Sequence, residues 1–311
     1  MSIKRVILIR NKTRLEFLVE RFNSKAQARF YIEHSGGDFH DYELEHETFY
    51  RSWDRILTEL SPLIKFKTLD RSFVPAYIFS GDDLVVVVGQ DGLVANAAKY
   101  VNDIPIIAVN PDVERYDGIL LPFNTGNFIG AVRDVMNDTY SSRSVTMAEA
   151  QLNDGQKLLA FNDLFIGPTS HVSARYRITH GEVSENQSSS GVIVSTGAGS
   201  TGWLSSLFQM ARGISGFFSG QSELESGPMP LDTPHLVFIV REPFLSKTSA
   251  VGLTAGLINR DSELAIESFM PNNGIIFSDG IEADHLRFYS GAIAKIGVAE
   301  EKAKLVTAAS S

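Results

Sequence analysis

At 311 residues, 43% hydrophobic and 21% charged, the chain can bury a sizeable core and is long enough for two modest domains. Lysine and arginine total 28 against 37 acidic residues, a formal charge of -9, so no broad cationic surface is expected for a phosphodiester backbone and nucleic acid is excluded as a general partner. The absence of cysteine excludes disulfides, zinc ribbons, thiolate nucleophiles and iron-sulfur ligation together.

In chain order, Met1 to Arg5 leads straight into Val6-Ile7-Leu8-Ile9, too brief for a signal core. No later run approaches the ~20 apolar residues of a membrane span, so the expectation is a cytoplasmic protein with no membrane partner. Arg5 to Arg10 reads as a buried first strand, and Leu15, Leu18, Phe22 and Ala26 then recur at helical spacing. After Gly36-Gly37, Phe49, Trp53, Leu57 and Leu60 repeat that spacing, which predicts two amphipathic helices. Asp41 to Glu47 reads as a solvated acidic surface segment. Leu63 to Phe66, Leu84 to Val88 and Ile106 to Val109 are further strands, the last two unbroken aliphatic runs of the kind covered on both faces. Strands separated by helices predict an α/β domain with an open parallel sheet of Rossmann-like kind, whose ligands sit at the carboxyl ends of the strands.

Asn124 to Met136 reads as a bridging helix, and beyond it the texture changes. Residues 143–153, 157–166, 174–179, 191–195, 235–241 and 275–277 are short extended pieces, so the second half is expected to be mainly β and sandwich-like. The boundary is placed near residue 138, giving domains 1–138 and 139–311. Gly213 to Gly227, rich in glycine and serine, reads as a mobile surface loop.

Four clusters could carry chemistry. Gly89-Gln90-Asp91-Gly92 follows the Leu84 to Val88 strand and precedes a helix-compatible stretch from Leu93 to Val101. At such a corner glycine lets backbone approach a ligand and the helix N-terminus favours phosphate, although a tight turn with Asp91 as N-cap accounts for it equally. Ser195 to Trp203 follows Val192-Ile193-Val194, and Gly197, Gly199 and Gly202 formally satisfy G-x-G-x-x-G. The β-rich context and the glycine/serine-rich sequence downstream argue against a dehydrogenase fingerprint; interleaved hydroxyls and glycines suit phosphate and ribose oxygens, or a turn capping a helix. Asn162-Asp163 offers an amide and a carboxylate that suit a ribose diol, against the alternative of an Asx turn. Ser278-Asp279-Gly280 reads as a hairpin turn. The seven histidines show no paired metal spacing, so no protein-held metal is expected, and the lack of Gly-Lys-Ser or Gly-Lys-Thr excludes P-loop chemistry.

Taken in order, the first three clusters resemble those of the NAD kinase family, in which an α/β domain with a Gly-Gly-Asp-Gly corner accompanies a β-rich domain with an Asn-Glu pair and a Gly-Ser-Thr-Ala-Tyr-like segment. The resemblance extends over most of the chain and is nearest the mitochondrial-type branch. It is carried by residues 10–17 after the first strand, 109–115, Asn162 to Gly167, Ser189-Ser190-Gly191 leading to Thr196-Gly197-Ala198-Gly199-Ser200, and Ile239 to Pro243.

The resemblance implies transfer of phosphate from ATP, with Mg²⁺ or another divalent metal, to the 2′-hydroxyl of the adenosine ribose of NAD. It implies Asp91 as catalytic carboxylate, and Gly92, Asn162, Asp163, Thr201, Gly202, Trp203 and Ser206 as contacts to NAD. Gly89, Gln90, Gly197, Gly199 and Ser200 would form the phosphate loops, and the protein would be a homodimer or homotetramer. Asp163 is one methylene shorter than the family's glutamate, and Trp203 has an aromatic face without the phenolic hydroxyl. Gln90 and Leu93 stand where most members have glycine and threonine, and Ser190 where many have an aspartate. Two alternatives follow: an NAD(P)-binding sensor of the same fold with impaired turnover, and a kinase for another hydroxyl acceptor such as a lipid or sphingoid base.

Overall fold

The computed structural model describes residues 3–219 and 227–308. The chain divides into two units, Met1–Arg143 together with the segment from Lys304 onward, and Ser144–Ala303. The division thus falls five residues after the expected boundary, and the C-terminal end belongs with the first unit instead of closing the second.

In the first unit, β1 (Arg5–Arg10), β2 (Phe66–Asp70), β3 (Asp83–Val88) and β4 (Pro105–Asn110) form a parallel sheet in the order β2-β1-β3-β4. All six residues of β3 are buried, as an unbroken aliphatic run requires when helices cover both faces. Each fully buried Val or Leu there contributes roughly 1.5–3 kcal/mol. Val6, Leu8, Val86 and Val109 pack against Phe49, Trp53 and Ile56 of a long helix α3 and against Phe128 and Val132 of α5. Arg5 makes a bidentate pair with Asp83, at 2.9 and 3.0 Å, so the one buried carboxylate on β3 is neutralised.

The helices are α1 (Arg14–Phe22), α2 (Lys25–His34), α3 (Phe39–Leu60), α4 (Asp91–Ala98) and α5 (Phe128–Met136). Three helices therefore stand between β1 and β2 where two were expected. Asn23 turns left-handed at φ 60° and Ser24 caps the next helix by accepting the Gln27 N–H, which breaks the Leu15 to Ala26 periodicity. The expected second strand at Leu63 to Phe66 begins only at Phe66, because Leu63 and Ile64 close the end of α3 by donating to the Leu60 carbonyl. A two-residue strand β5 (Phe123–Asn124) pairs with β4 before α5.

The acidic Asp41 to Glu47 stretch is not a solvated segment. It lies within α3, Glu45 is buried against Arg14, and Asp41 holds both Arg14 (2.8 Å) and Arg115 (2.7 Å). Those two guanidinium groups, Arg115 foremost, hold the Asp41 carboxyl down at about 2.

The second unit contains β6 (Ser142–Leu152), β7 (Lys157–Ala160), β8 (Asp163–Pro168), β9 (Ala174–His180), β10 (Val183–Ser189), β11 (Val192–Ser195), helix α6 (Trp203–Ser219), β12 (Leu236–Val240), β13 (Ala255–Ile258), β14 (Leu264–Ser268), β15 (Gly274–Ser278), β16 (Ile281–Arg287) and β17 (Ile293–Val306). One antiparallel sheet runs β13-β12-β11-β8-β15-β16, and β10-β9-β14-β17 forms a second antiparallel series, with β6 joining β17 and β7. Ile166, Val194, Phe238 and Ile276 of the first sheet share a core with Tyr176, Ile178, Ile266 and Ala294 of the second series, the sandwich expected of alternating short strands. On its other face the first sheet presents Phe165, Ile193, Ile275 and Phe277, which Leu207 and Trp203 of α6 cover. The last residues of β17 leave this unit, and Lys304 and Leu305 pair in parallel with Pro105 and Ile106 of β4.

The glycine/serine-rich stretch from Gly213 is corrected in part. Residues Gly213 to Ser219 continue α6 as helix, and the 220–226 portion of the expected loop lies outside the described residues. Among the described residues no helix is long and apolar enough to cross a membrane.

Candidate functional site

Gly89-Gln90-Asp91-Gly92 is the strand-turn-helix corner between β3 and α4. Asp91 is the first residue of the helix, and the cap position falls to Gln90, whose side chain makes no capping bond. The Asp91 carboxylate instead accepts the backbone N–H of Leu120 at 2.6 Å through Oδ1, which ties the corner to the loop after β4. Gly89 has structural work of its own: a Cβ there would lie 2.8 Å from Cδ2 of Leu93, so the leucine packs where any side chain at 89 would stand. Around Gly92 a Cβ would meet nothing within 4 Å, leaving room beside the helix N-terminus. The Gln90 side chain lies close to the Tyr116 phenol; burial raises that phenol's pKa and the neighbouring Gln90 amide opposes the rise.

In the second unit, three segments are knotted at one end of the first sheet. Asn162 and Asp163 stand at the turn from β7 into β8, and Ser195 of β11 pairs with Asp163 across the sheet. Thr196 binds that turn twice, through its N–H to the Asn162 carbonyl (2.9 Å) and its hydroxyl to the Phe161 carbonyl (2.6 Å). Asp279, in the hairpin turn between β15 and β16, accepts the N–H of Asn162 at 2.6 Å and of Phe161 at 3.2 Å. Its own N–H donates to the Asp163 carbonyl at 2.9 Å. The Asp-Gly hairpin turn is present as expected, with Asp279 at φ 54° and Gly280 at φ 71°.

The glycines of the Gly197 to Gly202 segment allow this knot. A Cβ on Gly197 would fall 2.0 Å from the Pro230 carbonyl oxygen. One on Gly199 would fall 2.4 Å from the Asn162 carbonyl, and 2.6 Å from both Asp163 Oδ1 and Ser195 Oγ. Ser200 is buried, donating to the Gly197 carbonyl (2.6 Å) and accepting the Met229 N–H (2.9 Å). Gly197, Gly199 and Ser200 are thus committed to internal packing, whereas Thr201 and Gly202 are exposed. Ser206 is exposed one turn into α6, its hydroxyl reaching the Gly202 carbonyl at 3.3 Å.

Asn162 and Asp163 part company. The Asn162 side-chain amide is half-buried and makes no hydrogen bond among the described residues. Asp163 turns its Oδ1 inward beneath Gly199, where it is buried without a hydrogen-bond partner. Burial pushes the Asp163 carboxyl up to about 7; the nearby Ser195 hydroxyl opposes the rise and the Asp279 charge adds to it.

Trp203, at the start of α6, lies parallel to Phe165 with centroids 5.8 Å apart, and the Arg241 guanidinium sits 5.5 Å from its ring. Phe277 packs at 4.9 Å from Phe165. These rings, with Ser190, Arg241, Glu242 and His285, line a groove of about 740 Å³ on the helix-covered face of the first sheet. Ser190 donates its hydroxyl to Glu242. The groove offers a flat apolar floor with charged and hydroxyl groups at its margin, the composition of a site for a planar polar ring.

No family model matches the sequence. Two curated relatives do: a probable NADH kinase of Oryza sativa subsp. japonica, 26% identical over 227 residues, covering 65% of this chain and 64% of the relative, and the NAD kinase of Chlorobium limicola, 30% identical over 126 residues, covering 39% and 43%. The chain thus matches under two thirds of either relative's own length. Among solved structures, yeast NADH kinase complexed with NADH is similar with a TM-score of 0.59 at 14% identity, over 99% of this chain and 85% of that one. The NAD kinase from Archaeoglobus fulgidus in complex with ATP is similar with a TM-score of 0.55 at 16% identity, over 97% and 92%. These similarities, in sequence and in fold, are all to NAD and NADH kinases. Its fold is of the NAD kinase type, a mixed parallel sheet together with an all-antiparallel second sheet.

Against that NAD kinase fold, three contributors escaped the sequence reading: the Leu120 N–H, the Tyr116 phenol and the Asp279 carboxylate. The first is a backbone group with no sequence signature. The second lies 26 residues beyond the Gln90 it meets. Asp279 was visible as a turn residue, but nothing in a turn motif says where its carboxylate will point.

Proposed function

We propose that the chain is an ATP-dependent NAD kinase, transferring the terminal phosphoryl group of ATP to the 2′-hydroxyl of the adenosine ribose of NAD to give NADP. The observation that carries this reading is Asp91, a carboxylate at the carboxyl end of a central parallel strand, fixed through one oxygen by the Leu120 N–H. Phosphoryl transfer asks a protein chiefly to align donor and acceptor and to screen charge. The second Asp91 oxygen takes the proton of the acceptor hydroxyl as the new P–O bond forms and the bond to the ADP oxygen breaks, a role of about 10² to 10⁴ in rate. The open space at Gly92 and the backbone N–H groups at the start of α4 suit a close-lying ribose or phosphate oxygen.

The second unit by itself has groups of the kind a dinucleotide takes: the unengaged Asn162 amide has a donor and an acceptor suited to a ribose diol, and Thr201, Gly202 and Ser206 offer exposed polar groups after it. Trp203 gives an aromatic face in the groove. Among the described residues no three His, Asp or Glu side chains converge into a cage, so a divalent ion fits as a companion of the ATP oxygens. That ion, Mg²⁺ in this reading, screens the triphosphate charge that an acidic protein cannot. The mitochondrial-type assignment is part of the same proposal and rests on residues 10–17, where Thr13 and Glu16 form a capping box and Arg10 reaches Glu16 and Tyr50.

The deciding experiment is a coupled assay for NADP⁺ with ATP, Mg²⁺ and a panel of NAD⁺, NADH, a sphingoid base and a diacylglycerol. Phosphorylation of the dinucleotides alone supports the reading; phosphorylation of a lipid alone removes it. Tight dinucleotide binding without turnover would move the chain to the sensor reading, which the bulky Gln90 side chain at the corner favours.

A further inference from the structure

Asp279 belongs to no part of the proposed chemistry, yet its carboxylate is the point on which the Asn162 turn is hung. Oδ1 accepts the Asn162 N–H at 2.6 Å and the Asp163 N–H at 3.4 Å, and Oδ2 accepts the Phe161 N–H at 3.2 Å. Three successive amides converging on one side chain form an anion nest, and here the anion is supplied by residue 279, more than a hundred positions away in sequence. The residue that supplies it is itself held: Asp279 occupies the left-handed region at φ 54°, followed by Gly280 at φ 71°, and its N–H donates to the Asp163 carbonyl at 2.9 Å. The turn it fixes is the one that presents Asn162, and Thr196 grips the same turn from the glycine segment. The clamp therefore sets the direction of the Asn162 side chain and its registration against residues 195–199 together.

We propose that Asp279 is a positioning residue of the dinucleotide site, whose carboxylate fixes the backbone of Phe161 to Asp163 so that Asn162 meets the ribose in a single orientation. The inference rests on the reading that Asn162 binds the dinucleotide. Asp279 touches no substrate; it acts through backbone amides and so has no signature beyond an Asp-Gly turn.

The clamp also touches the electrostatics of its neighbour. The Asp163 carboxyl lies buried beneath Gly199, and the groups facing it are the neutral Ser195 hydroxyl from β11 and the Asp279 carboxylate from the β15–β16 turn. Asp279→Asn keeps the side-chain size, and asparagine tolerates the left-handed turn, so the fold is retained. It replaces one acceptor oxygen by an NH₂ group, which cannot accept the Phe161 N–H that Oδ2 holds, so the three-amide clamp loses a member.

The test is a double-mutant cycle of Asp279→Asn and Asn162→Ala in the full chain, read by steady-state kinetics and by amide hydrogen exchange. The expected result is a KM for NAD raised at least tenfold in Asp279→Asn with the KM for ATP within twofold of wild type. The double variant should be no worse than Asn162→Ala, since two residues acting as one unit are non-additive. Losing one negative charge beside Asp163 should also move any limb of the pH profile that follows Asp163 to lower pH. Full additivity of the two substitutions, or equal loss in both KM values, overturns the proposal. Hydrogen exchange separates this from the parent reading: faster exchange at Phe161 and Asn162 in Asp279→Asn reports the clamp even if wild type makes no NADP⁺, and unchanged exchange overturns the clamp even if wild type is fully active.

Discussion

The carboxylate of Asp91 is held by the backbone N–H of Leu120 at 2.6 Å, so the corner after β3 is set by the loop after β4. One oxygen is engaged there, and the other is the one to which the proposed function assigns the acceptor proton. Asp91→Asn retains an oxygen for Leu120 and removes the basic one. The expected outcome is NADP⁺ formation reduced by about 10² to 10⁴ with dinucleotide binding by calorimetry within threefold of wild type.

Gln90 lies beside Tyr116 and sets a bulky amide at a corner where a glycine would leave open space. Gln90→Gly is expected to lower the KM for ATP with little change in that for NAD. Tyr116→Phe, which frees Gln90 without shrinking it, should change the ATP KM in the opposite sense or leave it unmoved. Initial rates over a grid of both substrates check this.

Glycines 92 and 199 differ in what surrounds them. A methyl at Gly92 meets no protein atom within 4 Å and gains helix propensity, so Gly92→Ala should fold at least as stably as wild type while weakening nucleotide use. A methyl at Gly199 meets the Asn162 carbonyl at 2.4 Å and the Asp163 carboxylate at 2.6 Å, and Gly199→Ala should cost about 1–3 kcal/mol or more. Urea denaturation of both variants separates the two cases.

Asp163 makes stability fall with pH. Its carboxyl releases its proton near 4 in the unfolded chain and at about 7 in the folded one, chiefly because of burial, so the folded state holds more protons between those values. The contribution is intact below about pH 4, declines as pH rises, and is fully lost above 7. Asp163→Asn, which cannot ionise, should therefore gain stability relative to wild type on going from pH 4 to pH 8, by roughly 4 kcal/mol at about 1.4 kcal/mol for each pH unit between the two values. Thermal unfolding across that range is the measurement; a wild-type and variant difference that does not change with pH would remove the buried carboxylate from the account.

What the sequence determined by itself is the set of elements with strong local causes. Aliphatic runs such as Leu84 to Val88 bury completely because they have no polar side to leave exposed, and the Gly89, Asn162 and Gly197 clusters fall at strand ends because their residues break extended structure. Where local signals competed, they misled: the Leu15 to Ala26 periodicity hid a left-handed Asn23, and the glycines and serines after Gly213 hid the continuation of α6 to Ser219. The tertiary structure alone decided the rest. It paired Asp41 and Glu45 with arginines, turned Asp163 beneath Gly199, hung the Asn162 turn on Asp279 and returned the end of β17 to the edge of β4. Each of these is a contact between residues far apart in sequence whose direction depends on side-chain geometry, and local propensity carries no information about that.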